Sequence, residues 1–578
     1  MSTPKHCNQS LPMLQIRCKN TNETKSFPVG SSLLEILPEF NLKFKYPVVS
    51  AKVNNASQGL KFRLYQNRDI EYVGLDEPSG MRAYIRSLCF VLCKASQDVF
   101  PGSKLYIEHP ISRGYYCNFI KTTAKMGHSD GASRRGVTTD DVDMIRQRMK
   151  EIIAADYPFH RSEMPTEDAI RLFRERGYMD KVRLLETSGK VYTDAYSLED
   201  CVDYYYGPLV PSTGYLNVFG LEPYGDGGML LLVPDAHEPD HVAEMIPQPN
   251  TYEVYKEQVK WNVIMRMSNV GDVNKACLNG MATELIQVSE ALQEKKIVNI
   301  AEEINRRYKE QGLKLVLITG PSSSGKTTFC KRLSVQLLAC GLRPMSFSTD
   351  DYFVNRTDTP LLPNGQYDFD NFETVDHNLL SEHLARLLNG EEVEVPEYNF
   401  TTGKREWNGK KLRIKERHVL IIEGIHALNP RLTSDIPDDH KYKIYTSALT
   451  SVSLDDHNWI PTRDNRLLRR IIRDYNSGAH SVRDTISQWP NVCEAEEQWI
   501  FPYQENADVM FNSALNIEFA VLRNHAEPIL SSVPKNCPEY AEAHRLLKFI
   551  HYFTPVSDKE IPPTSIMREF VGGSSFKY

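Results

Sequence analysis

One stretch constrains this chain more than any other: Lys314 to Leu333, read as KLVLITGPSSSGKTTFCKRL. Leu315-Val316-Leu317-Ile318 is a short apolar, partly β-branched run and reads as a buried strand. Gly320 to Thr327 fits the phosphate-loop pattern GxxxxGK[ST] without a mismatch, and helix formers follow to Leu338. The pattern needs a strand before it and a helix after it, and both are present. Gly320 and Gly325 let the backbone wrap a phosphate. The chain through Ser322, Ser323, Ser324 and on to Thr328 turns its amides inward, and the helix N-terminus adds positive potential. Lys326 is placed to reach β- and γ-phosphates, and the Thr327 hydroxyl to ligate Mg²⁺. This half is expected to bind a nucleoside triphosphate on a parallel sheet.

A chain of 578 residues predicts three or four domains at roughly 150 residues each. A net charge of −7 argues against a generally basic nucleic-acid surface. No apolar run approaches the ~18 residues of a membrane span. The N-terminal residues MSTPKHCNQSLPMLQIRCKN carry no apolar signal core, so no export is expected. The eleven cysteines form no CxxC pair and read as reduced thiols in a cytoplasm. Cys89 and Cys93 share a helix face, read as core.

At the front, Met13–Cys18, Lys25–Val29, Val48–Val53 and Lys61–Leu64 read as strands, with a short helix capped by Ser31-Ser32. The ββαβ order suggests a β-grasp unit over 1–77. It resembles the TGS domain of threonyl-tRNA synthetases, with docking and structural roles both open. Residues 78–250 carry RSLCFVLCKASQDVFP from Arg86, GYYCNF from Gly114, and DYYYGPLVPSTG from Asp203. These segments resemble, in order, the editing domain of the same synthetases. That family's HxxxH and CxxxH pairs supply a zinc-like site. Here they fall on Arg86 and Phe90, and on Tyr205 and Leu209, none an ordinary zinc ligand. The resemblance therefore implies the fold without metal or editing hydrolysis. A scaffold or regulatory role is favoured over RNA binding by the N-terminal half. Arg134-Arg135 and the His237/His241 pair read as solvated surface.

Helices are expected over Thr251–Met267, Gly271–Glu294 and Ile297–Gln311, forming a bridge over 251–312. Ile300, Ile304 and Tyr308 recur at four-residue steps on one apolar face. Beyond the phosphate loop, Pro344–Thr349 reads as a buried strand running into Asp350-Asp351. Tyr367 to Glu373 reads as opening a helix through Leu388. Val419–Ile425 is a buried strand carrying Glu423 at a Walker B-like position. Arg463–Asp474 is an Arg-rich helix. Carboxylates at strand C-termini sit where open α/β sheets place their chemistry.

These segments resemble the uridine kinase and phosphoribulokinase family over most of 313–515. The resemblance makes Asp350 the catalytic base and Asp370 the carboxylate on the ribose hydroxyls. It sets Tyr398 against a nucleobase, and brings Arg470 and Arg473 near the phosphates. Thr327 and Glu423 would share the Mg²⁺ that accompanies ATP. Asp351 reads as a structural cap or a second base. Arg466 and Arg469 read equally as a solvated helix face or as further site groups. Two departures stand out. The family's base-reading histidine falls on Gly403, and the lid has lost its arginines in Asn476-Ser-Gly-Ala-His480. Lys404, Arg405 and Arg483 are candidate substitutes.

The expected architecture is multidomain α/β and α+β. A β-grasp unit precedes an editing-like α+β unit, the helical bridge, a P-loop kinase over 313–535, and a helical tail over 536–578. The expected activity is ATP- and Mg²⁺-dependent phosphorylation of a nucleoside, uridine or cytidine, by a cytoplasmic enzyme. A kinase of another small hydroxylated metabolite and a nucleotide-gated RNA-binding regulator are the alternatives. Oligomeric state is not legible in the sequence.

Overall fold

The structure is a computed structural model, and it describes residues 12–121, 136–363 and 365–577. The Arg134-Arg135 reading lies outside the described residues. The kinase half is built on a five-stranded sheet, all parallel. Its order is Arg343–Ser348, His418–Glu423, Leu315–Thr319, Lys441–Ser447 and Val509–Asn512. Leu315–Thr319 lies in the middle and is buried along its whole length, as a continuous apolar run requires. Its C-terminal end delivers the chain into the phosphate loop and the helix Lys326–Ala339.

At the front, Met13–Cys18 alternates exposed and buried residues, the mark of a strand with one face on a core. It pairs antiparallel with Glu23–Pro28 and parallel with Arg68–Gly74. Val48–Val53 and Ala56–Gln58 complete a five-stranded sheet. The helix Leu33–Ile36 is closed by a capping box between Ser32 and Glu35. Lys61–Leu64 is not the expected strand. It forms an isolated bridge from Arg63 to Ser32 and backbone bonds to Gly30, Ser31 and Leu33 outside any sheet, and the last strand comes later, at Arg68–Gly74.

The editing-like unit holds the helix Pro78–Val99, buried from Ala83 to Ser96. Around it lie an antiparallel sheet of Lys104–Ile111, Gly114–Ile120, Gly228–Leu232 and Gly220–Tyr224, and a smaller sheet of His160–Pro165, Tyr192–Leu198 and Cys201–Asp203. Phe90 and Tyr205, two of the positions aligned with the metal ligands, meet ring to ring at 5.4 Å in this core. His237 and His241 are exposed.

The bridge departs from the expected segmentation. Pro249–Met265 and Val270–Leu278 are followed by one unbroken 30-residue helix, Ala282–Gln311. The chain breaks at Asn279-Gly280, where a glycine takes φ +80°, and not near Ile297. Ile297, Ile300, Ala301 and Ile304 pack on the central sheet and on Phe329. The N-terminal end, Leu285 and Ile286, enters a different core. That core joins Phe173 and Leu184 of the front half to Leu467, Ile471, Phe519 and Leu546 of the kinase half. Tyr367–Glu373 likewise does not open a helix. The helix is His377–Leu388, capped by the Asp376 side chain, and the preceding residues form a loop with a short 3₁₀ turn at Phe372–Thr374.

The two halves are also joined by charge. Lys181 has no exposed side-chain surface and lies 2.9 Å from Asp203, 3.0 Å from Asp455 and 3.7 Å from Asp180. Burial opposes its charge, yet the three carboxylates hold its pKa well above the ordinary lysine value. His457 adds a 2.7 Å contact to Asp203. Removing the cation alone leaves uncompensated buried carboxylates. Lys181→Met is expected to destabilise the protein by about 3–5 kcal/mol, read as a lowered urea midpoint.

Candidate functional site

The site is assembled at the carboxyl ends of three strands. Ser348 closes one strand and caps the 3₁₀ turn Thr349–Tyr352, in a capping box with Asp351. The cap orients the turn, so Asp351 is engaged by the Ser348 amide. Asp350, next to it, is free to face Lys326. Burial raises the Asp350 pKa, with Lys326 opposing and Asp351 adding to the rise. Glu423 ends the neighbouring strand and accepts a hydrogen bond from the Thr327 hydroxyl at 3.3 Å. Its pKa is pushed up to about 7, first by burial, against Lys326 and with Asp350 and Glu569. Asp370 comes from the loop before the 3₁₀ turn at Phe372. Burial lifts it to about 6, against Arg470 and with Glu496, Asp368 and Asp350. An all-oxygen set of one hydroxyl and several carboxylates suits a hard divalent cation such as Mg²⁺. Thr327 and Glu423 are the residues that would hold it.

The Arg-rich helix spans Thr462–Ser477 and divides its arginines by burial. Arg466 and Arg469 are not a solvated face. They are among the most buried side chains of the molecule, at 1% and 0% exposed. Arg466 grips Glu496 with two bonds, 2.5 and 2.7 Å, and donates to the Ser322 carbonyl at 3.1 Å. Arg469 pairs with Glu518 and donates to the Ser323 carbonyl at 3.2 Å. Both brace the phosphate loop from behind. Arg470 reaches the loop's front, donating to the Ser322 hydroxyl at 3.2 Å. Arg473 is turned onto its neighbour Asp474. The two arginines assigned to phosphates are thus differently placed.

The acceptor wall differs from the motif reading. Tyr398 is 6% exposed, with its ring edge-on to Phe353 and Phe400 at 5.4 and 5.1 Å. Phe400 is the exposed aromatic there. Gly403 has φ +68°, and a Cβ on it would lie 2.8 Å from the Arg356 guanidinium. Arg356 donates to the Phe400 carbonyl and its backbone amide to the Gly403 carbonyl. A cation from another loop fills the space at the histidine position. Of the candidate substitutes for the lid, Arg405 pairs with Asp376 and Arg483 with Glu539.

Two more groups were invisible in the sequence pattern. Glu496 accepts from the Ser322 backbone amide at 2.9 Å, as well as from Arg466. Glu569, in the short tail helix Arg568–Val571, accepts from the Thr328 hydroxyl at 2.6 Å and from its amide at 3.3 Å. Asn476 of the lid segment donates to the Phe570 carbonyl, and the Phe570 ring lies 4.9 Å from the Arg469 guanidinium. Internal carboxylates therefore hold donors that a phosphate group would use. Neither lies in a sequence motif, and each reaches the loop only through the fold.

Two outcomes follow. Glu569→Gln is expected to tighten Mg-ATP binding by about tenfold in calorimetry, by weakening the internal competitor. Glu423 and Asp370 bind protons more tightly folded than unfolded. The stability they contribute is complete below the ordinary carboxylate values of 4.5 and 3.8 and is lost as pH rises through about 6 and about 7. The melting temperature without Mg²⁺ should fall across that window, and Glu423→Gln should flatten its upper part.

Residues 315–518 match the sequence model of the Phosphoribulokinase / Uridine kinase family. The N-terminal half is similar to threonine–tRNA ligases. That of Syntrophomonas wolfei subsp. wolfei is 29% identical over 205 residues, 35% of this chain and 30% of the ligase. That of Oleidesulfovibrio alaskensis is 32% identical over 152 residues, 26% of this chain and 22% of the ligase. The chain thus spans less than a third of the length of these curated relatives. A solved structure described as "a Possible Uridine Kinase" from Bacillus stearothermophilus is 18% identical with a TM-score of 0.28, covering 38% of this chain and 98% of that one. Residues 315–518 are thus similar to the Phosphoribulokinase / Uridine kinase family, and the front half is similar to threonine–tRNA ligase.

Proposed function

We propose that this chain transfers the γ-phosphoryl group of ATP to a nucleoside 5′-hydroxyl, uridine or cytidine to its monophosphate. The observation that carries the reading is the meeting of Asp350, Lys326, Thr327 and Glu423 at the carboxyl end of one parallel sheet. Thr327 and Glu423 would hold a Mg²⁺ that, when bound with ATP, would supply charge neutralisation to the phosphates. Lys326 and Arg470 stabilise the charge spread over the transferring group. Asp350 accepts the proton of the attacking hydroxyl, and Asp370 holds the acceptor's sugar hydroxyls. Phosphoryl transfer is mostly positioning and electrostatics, so these few groups suffice. A raised Asp350 pKa suits a base that must take a proton near neutrality. Among the described residues, no helix is long and apolar enough to cross a membrane.

Arg356 favours a second acceptor. A guanidinium where the family reads a base suits a hydroxylated metabolite carrying a carboxylate or phosphate. Internal carboxylates on the phosphate loop favour a third reading, a nucleotide-gated regulator. The deciding measurement is ADP release with Mg-ATP across nucleosides and phosphorylatable sugars or sugar acids, beside Asp350→Asn. Turnover with uridine or cytidine, lowered by about 10²- to 10⁴-fold in Asp350→Asn, is the expected result. Turnover confined to an anionic acceptor, and lost in Arg356→Ala, would move the substrate and keep the base. ATP binding without any turnover would remove the kinase reading.

A further inference from the structure

A cavity of 830 Å³ opens in the front half, between the β-grasp unit, the editing-like unit and the C-terminal helix Tyr540–Ile550. Its walls carry seven lysines and arginines against three carboxylates. Several of the cations are neutralised locally, as Arg161 is by Asp194 at 2.9 Å and Arg82 by Glu542 at 3.3 Å. Arg86 is not. It is 8% exposed, and its guanidinium donates to the Pro208 carbonyl, from Nε at 3.2 Å and Nη2 at 3.0 Å. No described carboxylate pairs with it. A buried charge without a counter-ion is costly, and the cavity is where a counter-ion can enter.

The setting of Arg86 is built. Its guanidinium lies against Gly207, where an added Cβ would come within 2.7 Å of Cζ, and over the Tyr206 ring at 6.0 Å. Lys548 brings a second cation from the tail helix. Confinement in the cleft lowers the Lys548 pKa, with Arg161 and Arg86 adding to the fall against Asp194. Burial likewise pushes Arg86 down to about 10, with no carboxylate to restore it. Each is a cation in want of an anion. Tyr65, 66% exposed, offers an open aromatic face in the same wall.

We propose that this cavity is a second ligand site, separate from the phosphate loop, that takes a small phosphate-bearing molecule with a flat ring, a mononucleotide by chemical class. Arg86 and Lys548 hold the phosphate, through geometry that suits a planar fork and a point charge together. Tyr65 stacks on the ring. At the position aligned with a metal ligand, a permanent cation now stands, and the ligand it calls for is an anion. The helix Tyr540–Ile550 supplies Lys548, and a separate short helix of the same tail, Arg568–Val571, carries the Glu569 that meets Thr328.

The test is calorimetry on the full chain with adenosine and uridine 5′-monophosphates, the corresponding nucleosides, inorganic phosphate and a short single-stranded oligoribonucleotide. A monophosphate is expected to bind with a dissociation constant below about 1 mM, and adenosine, which is not the proposed acceptor of the kinase site, about tenfold or more weaker than its monophosphate. Lys548→Glu, an exposed change that spares the core, should weaken the monophosphate about tenfold or more while ATP binds as before. Arg86→Met should do the same, with its fold checked by circular dichroism. Equal affinity in Lys548→Glu would assign the bound nucleotide to the kinase site and overturn the proposal. Binding of the oligoribonucleotide alone, or of no monophosphate, would overturn it as well.

Discussion

Lys181 and its three aspartates are the joint on which the two halves turn. The lysine and Asp180 belong to the front half, as does Asp203, while Asp455 and His457 lie just before the arginine helix of the kinase half. Asn458 donates to Asp455 and to the Tyr204 carbonyl, so the loop is held from both sides. Separating the halves would strand these charges in a low-dielectric core. The joint therefore fixes where the helix Thr462–Ser477 begins, and that helix in turn holds the phosphate loop.

The helix works as a bracket with two charge layers. Its inner arginines are buried, pair with Glu496 and Glu518 and grip loop carbonyls, so they set geometry. Its outer Arg470 meets the loop's front hydroxyl and faces the carboxylates of the site. Charged groups of one helix are thus divided between positioning and chemistry by burial alone. The carboxylate-rich rim, with Glu423 and Asp370 raised toward neutrality, is a surface that awaits a cation.

Much of the fold was legible because its signals are local. Met13–Cys18 alternates, Leu315–Thr319 is a continuous apolar run, and Ser32 caps the helix it precedes. The errors fall where local pattern underdetermines the answer. Lys61–Leu64 alternates charged and apolar residues as a strand would, but it meets only the short Gly30–Leu33 stretch and joins no sheet. Tyr367–Glu373 leads toward the helix in sequence, but its Asp, Asn and aromatic residues favour a loop and the helix is started by Asp376. The break at Asn279-Gly280 was missed because a glycine turn inside a helical composition carries little contrast.

The sequence by itself determined the phosphate loop, the strand that feeds it and the acids that follow the neighbouring strands. Each depends on residues a few positions apart, whose spacing dictates backbone shape. Tertiary structure alone decided which arginines are buried, that Arg356 occupies the space beside Gly403, and that Glu569 meets Thr328. It also decided that Arg86 faces a cavity without a counter-ion. Those outcomes rest on partners far apart in the chain, as Arg86 is from Pro208 and Thr328 from Glu569. An ion pair or its absence is a property of distance in space, and pattern along the chain carries no record of it.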